Sequence, residues 1–186
     1  MRAGLPLVVA SLFVSACTDS EDGTAEPQGG SDTPSVTSGP SATTSSPADG
    51  NGSSLADLDP CTLLDTSDVH RYGNHKEAEH RTVGTARACV WFPLRESGSE
   101  KIPTIATLIR ENAGADDVND IGQGVQRTQA NGRDIAQAAG PGTCVIAIGV
   151  TATSRVDVQV TGIEADDACT VANELAVIVE PTVPRG

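Results

Sequence analysis

Apolar and polar residues alternate in short runs through the second half of the chain, the spacing of a sheet with one buried face. Over 102–110, Ile105, Thr107 and Ile109 alternate with Thr104, Ala106 and Leu108, which predicts a half-buried strand. Thr143 to Val150 is an apolar run with Cys144, Ile146 and Ile148 on one side, and Val156, Val158 and Val160 repeat that spacing over 155–160. A turn at 151–154 lets these two runs pair as an antiparallel hairpin. Within 125–138, Asn131-Gly132 marks a second hairpin turn. Ala86 to Phe92 predicts a further strand, stopped by Pro93.

The period then changes. Cys169, Ala172, Ala176 and Val179 fall on one face of a helix expected over 167–179, with Asp166 and Asp167 at its positive end and Pro181 beyond it. Near the start of the apolar region, Asp59-Pro60-Cys61 has the form of an N-cap followed by proline at the first helical position. Thr66 or Ser67 is a second N-cap candidate, with Gly73 as the stop, and 116–121 predicts a short helical turn. The expected fold class is α+β: an antiparallel sheet of about five strands with N- and C-terminal helices packed against it.

The first third reads differently. From 18 to 56, the only large aliphatic residues are Val36 and Leu55, among Ser, Thr, Gly, Pro, Ala and Asp. Such a segment buries too little apolar surface to offset its ordering entropy, so a disordered linker is expected. Ahead of it, Arg2 and the apolar stretch 3–14 have the form of a signal peptide, too short to span a bilayer as a helix. Val14-Ser15-Ala16-Cys17 resembles a bacterial lipobox. That resemblance implies diacylglycerol on the Cys17 thiol, cleavage after Ala16, and two acyl chains that hold the protein on the outer face of the cytoplasmic membrane. The expected organisation is a signal peptide over 1–16, a lipidated Cys17 and linker over 17–56, and one globular domain over 57–186. A coil of about 40 residues would hold that domain roughly 35 Å from its anchor. The linker's Ser and Thr clusters beside proline and its Asn51-Gly52-Ser53 triplet are weak glycosylation candidates.

Charge narrows the partners. The net charge is −13, and residues 57–186 carry nineteen acidic against eleven basic residues with no basic cluster. Nucleic acid is therefore not an expected partner, nor is electrostatic docking on anionic headgroups. The expected partners are the membrane, through Cys17, and an envelope protein or small-molecule ligand. Beyond Cys17 there are four cysteines, Cys61, Cys89, Cys144 and Cys169, an even number that in an exported domain implies two disulfides. The favoured pairing is Cys61–Cys89 with Cys144–Cys169, because each bond would tie a helix to a nearby strand. The alternative is Cys61–Cys169 with Cys89–Cys144. No two of the four have the Cys-x-x-Cys spacing of zinc sites and thiol oxidoreductases.

Candidate chemistry is sparse. His70, His75 and His80 recur every five residues, which scatters them around a helix or a strand, so they are expected on the solvated surface rather than around a metal. There is no Gly-x-Ser-x-Gly elbow, and Ser97 sits in a turn-rich run. Gly122-Gln123-Gly124 lacks the third glycine of a dinucleotide loop, Asp116, Asp117 and Asp120 read as helix-terminal charge, and Trp91 reads as core. No metal and no cofactor is expected. A non-enzymatic module binding a ligand or partner ranks first, a structural or accessory component of an envelope complex second, and an enzyme third.

Asp59-Pro60-Cys61 followed by Leu63-Leu64, the strand Cys89-Val90-Trp91, Cys144 on a late strand, and Asp167-Ala168-Cys169 opening the last helix together resemble one family. It is an uncharacterised family of actinobacterial lipoproteins, known as domain of unknown function 3558. The resemblance runs from about Asp57 to Pro181 and takes in the lipobox and linker. Its last cysteine is often preceded by Asp-Pro, where this chain has Asp167-Ala168. The resemblance implies the fold and the location and no activity.

Overall fold

The computed structural model describes residues 55–186, so the signal peptide, Cys17 and most of the linker lie outside the described residues. Seven strands form one sheet: β1 (Glu79–Val83), β2 (Ala86–Trp91), β3 (Thr104–Arg110), β4 (Val125–Ala130), β5 (Arg133–Gly140), β6 (Thr143–Thr151) and β7 (Ser154–Thr161). Their order is β1-β2-β3-β7-β6-β5-β4, with every neighbouring pair antiparallel. Seven strands, not about five, are present: the 125–138 region supplies two, β4 and β5, and β1 is a polar edge strand, Glu-His-Arg-Thr-Val, whose residues are mostly exposed and carry no apolar alternation. The Asn131-Gly132 turn joins β4 and β5, and both of its residues have positive φ, +53° and +76°, as a two-residue hairpin turn requires.

The expectation of helices from both ends is corrected at the N-terminal end. Asp59 does accept a hydrogen bond from the backbone N–H of Cys61, but the chain then makes only a single 3-10 turn, Pro60–Thr62. The next element, α1 (Thr66–His70), is one short turn capped by Asp65 and Asp68, not by Thr66 or Ser67. The reason is length: polar residues interrupt Leu63, Leu64 and Val69 before an amphipathic stripe can develop. One long helix remains, α2 (Ala165–Val179), with Asp166 and Asp167 in its first turn and Ala168, Ala172, Leu175, Ala176 and Val179 buried.

Register separates the two faces of the sheet. Val156, Val158 and Val160 of β7 stand opposite Ile109, Thr107 and Ile105 of β3, and opposite Ile148, Ile146 and Cys144 of β6. This face meets α2 and forms the main core, to which Leu63, Leu64 and Val69 add cover over the β2–β3 half. Trp91 is buried in it. Disulfides join Cys61 to Cys89 and Cys144 to Cys169, so the 3-10 turn is bonded to β2 and α2 to β6.

On the opposite face, the connection from β3 to the far edge strand β4 crosses β7, β6 and β5. Ala115 and Val118 of this crossover pack on Ala136, Ala138 and Ala147. Small residues are required beneath it. A Cβ placed on Gly140 would lie 2.2 Å from the carbonyl oxygen of Ile121, so the backbone could not run where it does. Gly140→Ala is therefore expected to destabilise the domain by about 1–3 kcal/mol in urea unfolding. Gly98→Ala, which meets nothing within 4 Å, should change stability by no more than about 0.5 kcal/mol.

Candidate functional site

The face that carries the crossover is only half covered. At its centre, Asp157 is 1% exposed and shared by two arginines. Arg155 Nε donates to one carboxylate oxygen and Arg110 Nε to the other, each at 2.6 Å. Arg155 also donates to the carbonyl of Gly114 at 2.6 Å, which ties the start of the crossover to the sheet. Arg127 on β4 donates to the carbonyls of Asp116 and Val118 and holds the other side of the crossover. Arg110, Arg155 and Asp157 are the charged positions of strands whose other face is Val and Ile, placed by the period of two.

Beyond Asp157, Ala86, Ala88, Val90, Ala106 and Leu108 form a separate buried cluster on the same face, with Phe92 packed against it. A groove of about 340 Å³ opens there, lined by Val90, Phe92, Ala106, Gln159, Thr104 and Thr161, with Arg81 and Val83 of β1 along one wall. The Arg81 guanidinium lies 5.4 Å from the centre of the Phe92 ring and pairs with Glu79 at 2.7 Å. The groove thus offers an apolar floor with amide and hydroxyl groups beside it, the usual make-up of a small recognition site. Next to Phe92 in the pairing of 74–76 with 92–94, His75 is 4% exposed, with Nε2 2.8 Å from the Pro103 carbonyl and Nδ1 3.0 Å from that of Gly73. Lys76 N–H donates to the carbonyl of Phe92 beside it. The surface position expected for all three histidines is thus corrected for His75, which the pairing of 74–76 with 92–94 carries inward.

A second groove, about 410 Å³, lies on the other face of β1 between Asp57, Asp59, His80, Thr82 and Arg87. Arg87 is fully engaged there, donating to the carbonyls of Leu55 and Leu58 and to Glu111. Asp59, Cys61 and His80 bring three potential donor atoms within 4.8 Å of one another. Cys61 is bonded to Cys89, so its sulfur is not a thiolate and the set offers a metal only two ordinary ligands. Gly122 and Gly124 donate their backbone N–H groups to Asp120. Those two bonds hold the Asp120 carboxyl below its usual range, and the Gly-x-Gly run is folded around this side chain. The four cysteines named from sequence are brought together as two pairs on the helix-covered face. Cys17 lies outside the described residues. The groove residues were missed in the sequence because only the alternation of Arg155, Asp157, Gln159 and Thr161 against Val156, Val158 and Val160 hints at a second, polar-lined face.

The fold and grooves define a class: an α+β domain in which one helix backs a disulfide-linked antiparallel sheet and the other sheet face stays partly open. Residues 12–182 match the family described as protein of unknown function (DUF3558), and the chain belongs to that family. No curated protein and no solved structure matches it.

The sole tyrosine provides a check on these surroundings. Tyr72 Oη donates to Glu174 of α2 at 2.7 Å. Burial first, then the hydrogen bond and the negative charge of Glu174, push its pKa up to about 12. The folded state therefore keeps this proton over a range in which the unfolded chain loses it, and stability should fall as pH rises from 10 towards 12. Absorbance titration of the phenolate should show a midpoint near 12 that Glu174→Gln moves down towards 10. Asp157→Asn should cost about 3–5 kcal/mol in urea unfolding, because two arginines lose their buried counter-charge.

Proposed function

We propose that this protein is a lipid-anchored module of the cell envelope whose folded domain binds a ligand or partner without chemical conversion, through the groove between Phe92 and Thr161. The observation that carries this reading is the groove itself, in which Phe92 stands over the buried Val90 and Ala106 beside Thr104, Gln159 and Thr161. At about 340 Å³ it lies at the small end of ligand pockets. The perturbed titrating groups, Tyr72, Asp120 and Glu180, lie away from it and have structural explanations.

The anchor rests on Val14-Ser15-Ala16-Cys17, and with it come a signal peptide over 1–16, a linker over 17–56 and an outward-facing domain over 57–186. Two disulfides suit an oxidising compartment outside the cytoplasm. The acidic surface gives no electrostatic hold on anionic lipid, so attachment falls to the acyl chains.

Two measurements test the proposal. Radioactive palmitate should label the wild-type chain and co-fractionate with membrane, and Cys17→Ala should abolish the label; an unlabelled wild-type chain overturns the anchor. For the groove, N-phenyl-1-naphthylamine should bind the full chain saturably. Gln159→Trp, which fills the groove, should weaken that binding at least tenfold with little change in the thermal midpoint. Equal probe binding by both forms overturns the groove as the binding surface.

A further inference from the structure

β1 is an edge strand, and along its outer side no strand pairs with it among the described residues. The opposite edge, β4, is hemmed in: Arg127 bonds it to the crossover on one face, and the start of α2 lies near Gln126 on the other. β1 instead has an open groove on each face. His80 and Thr82 turn towards the groove with Asp57 and Asp59, while Arg81 and Val83 turn towards the groove with Val90, Phe92 and Ala106. An edge strand between two grooves is the arrangement that strand addition uses: main-chain groups supply the pairing, and pockets on alternate sides read alternate side chains.

We propose that β1 accepts an extended polypeptide as an eighth strand, and that this segment alternates basic with apolar side chains. The inference rests on the reading of the Phe92 groove as a binding surface and names what fills it. Charge selects the basic positions. On the side of Asp57 and Asp59, the charge of Arg87 is balanced by Glu111 at 2.9 Å, which leaves two carboxylates against His80. The other side selects apolar positions, because Glu79 and Arg81 neutralise each other there and Val83, 41% exposed, adjoins Val90, Phe92 and Ala106. The acidic surplus of residues 57–186 steers a cationic segment towards the domain. A second copy fits poorly, because Glu79-His80-Arg81-Thr82-Val83 has no basic–apolar alternation, and charges on an edge discourage indiscriminate pairing.

The test uses the full chain in detergent at physiological salt, with a fluorescein-labelled acetyl-(Lys-Val)5-amide read by anisotropy. Saturable binding is expected, at least 30-fold weaker for (Glu-Val)5. N-methylation of every lysine or of every valine should abolish binding in one series, since strand pairing uses the amides of one edge. Asp57→Lys and Val83→Asp should each weaken binding at least tenfold with unchanged thermal midpoints. Equal binding of the two peptides, indifference to both N-methyl series, or self-association abolished by Val83→Asp overturns the proposal. Binding of N-phenyl-1-naphthylamine without peptide binding overturns strand addition and leaves the groove reading standing, whereas loss of both removes both.

Discussion

A sheet of seven strands is wider than one helix can cover, and most of this structure stems from that mismatch. At about 4.8 Å between strands the sheet spans roughly 29 Å, while a helix with its side chains is about 10 Å across. Lying over β5, β6 and β7, α2 buries the valines of β7 and the isoleucines of β6. The β2–β3 half of the same face needs other cover, which comes from Leu63, Leu64 and Val69 in short turns too small to hold themselves in place. Each cover is bonded to the strand beneath it, α2 through Cys144–Cys169 and the Pro60–Thr62 turn through Cys61–Cys89. Closing loops of 25 and 28 residues removes on the order of 3 kcal/mol each of unfolded-state entropy, a large fraction of what such a domain retains. Thr107 adds a buried hydrogen bond to the Pro60 carbonyl at 2.7 Å.

The other face is covered by less. Its crossover has no long helix, so it is held by arginines rather than by an apolar stripe: Arg155 to Gly114, Arg127 to Asp116 and Val118. Asp157 makes that possible by balancing Arg155 and Arg110 in a buried place. Such an arrangement is costly to desolvate and contributes positional definition more than net stability. The C-terminal tail is held in the same manner, with Arg133 donating to Glu180 and to the carbonyls of Val183 and Pro184. A hydrogen bond from Asn131 and then the Arg133 guanidinium hold the Glu180 carboxyl below its usual range.

Where the crossover ends, Phe92 packs on a small buried cluster of Ala86, Ala88, Val90, Ala106 and Leu108, and a groove opens beside it. Its walls are fixed by the pairing of 74–76 with 92–94 and by the bond from His75 to Pro103, so little ordering entropy is left to be lost on binding. Membership of the family carries no activity with it. The functional reading therefore stands on this groove, on the edge strand beside it and on the lipobox-like segment at the amino terminus.

Much of the fold was legible in the chain. Val156, Val158 and Val160, the 105–109 alternation, the Asn131-Gly132 turn and the Cys169–Val179 stripe each carry a local period, and local periods report which side of an element is buried. The edge strand β1 was not legible, because a strand exposed along most of its length has no alternation to display. Nor was the brevity of α1, or the buried place of His75, which depends on a carbonyl 28 residues away. Residue order alone specified an amino-terminal segment that resembles a lipobox, an even set of cysteines in the apolar region, and an α+β domain with a valine-rich buried face. The two disulfides join the cysteines that the sequence favoured, whereas that seven strands share one helix and that the crossover stops short of Phe92 emerged only in three dimensions. Those outcomes depend on contacts between residues far apart in the chain, and no local pattern of polarity encodes which surface is left without a partner.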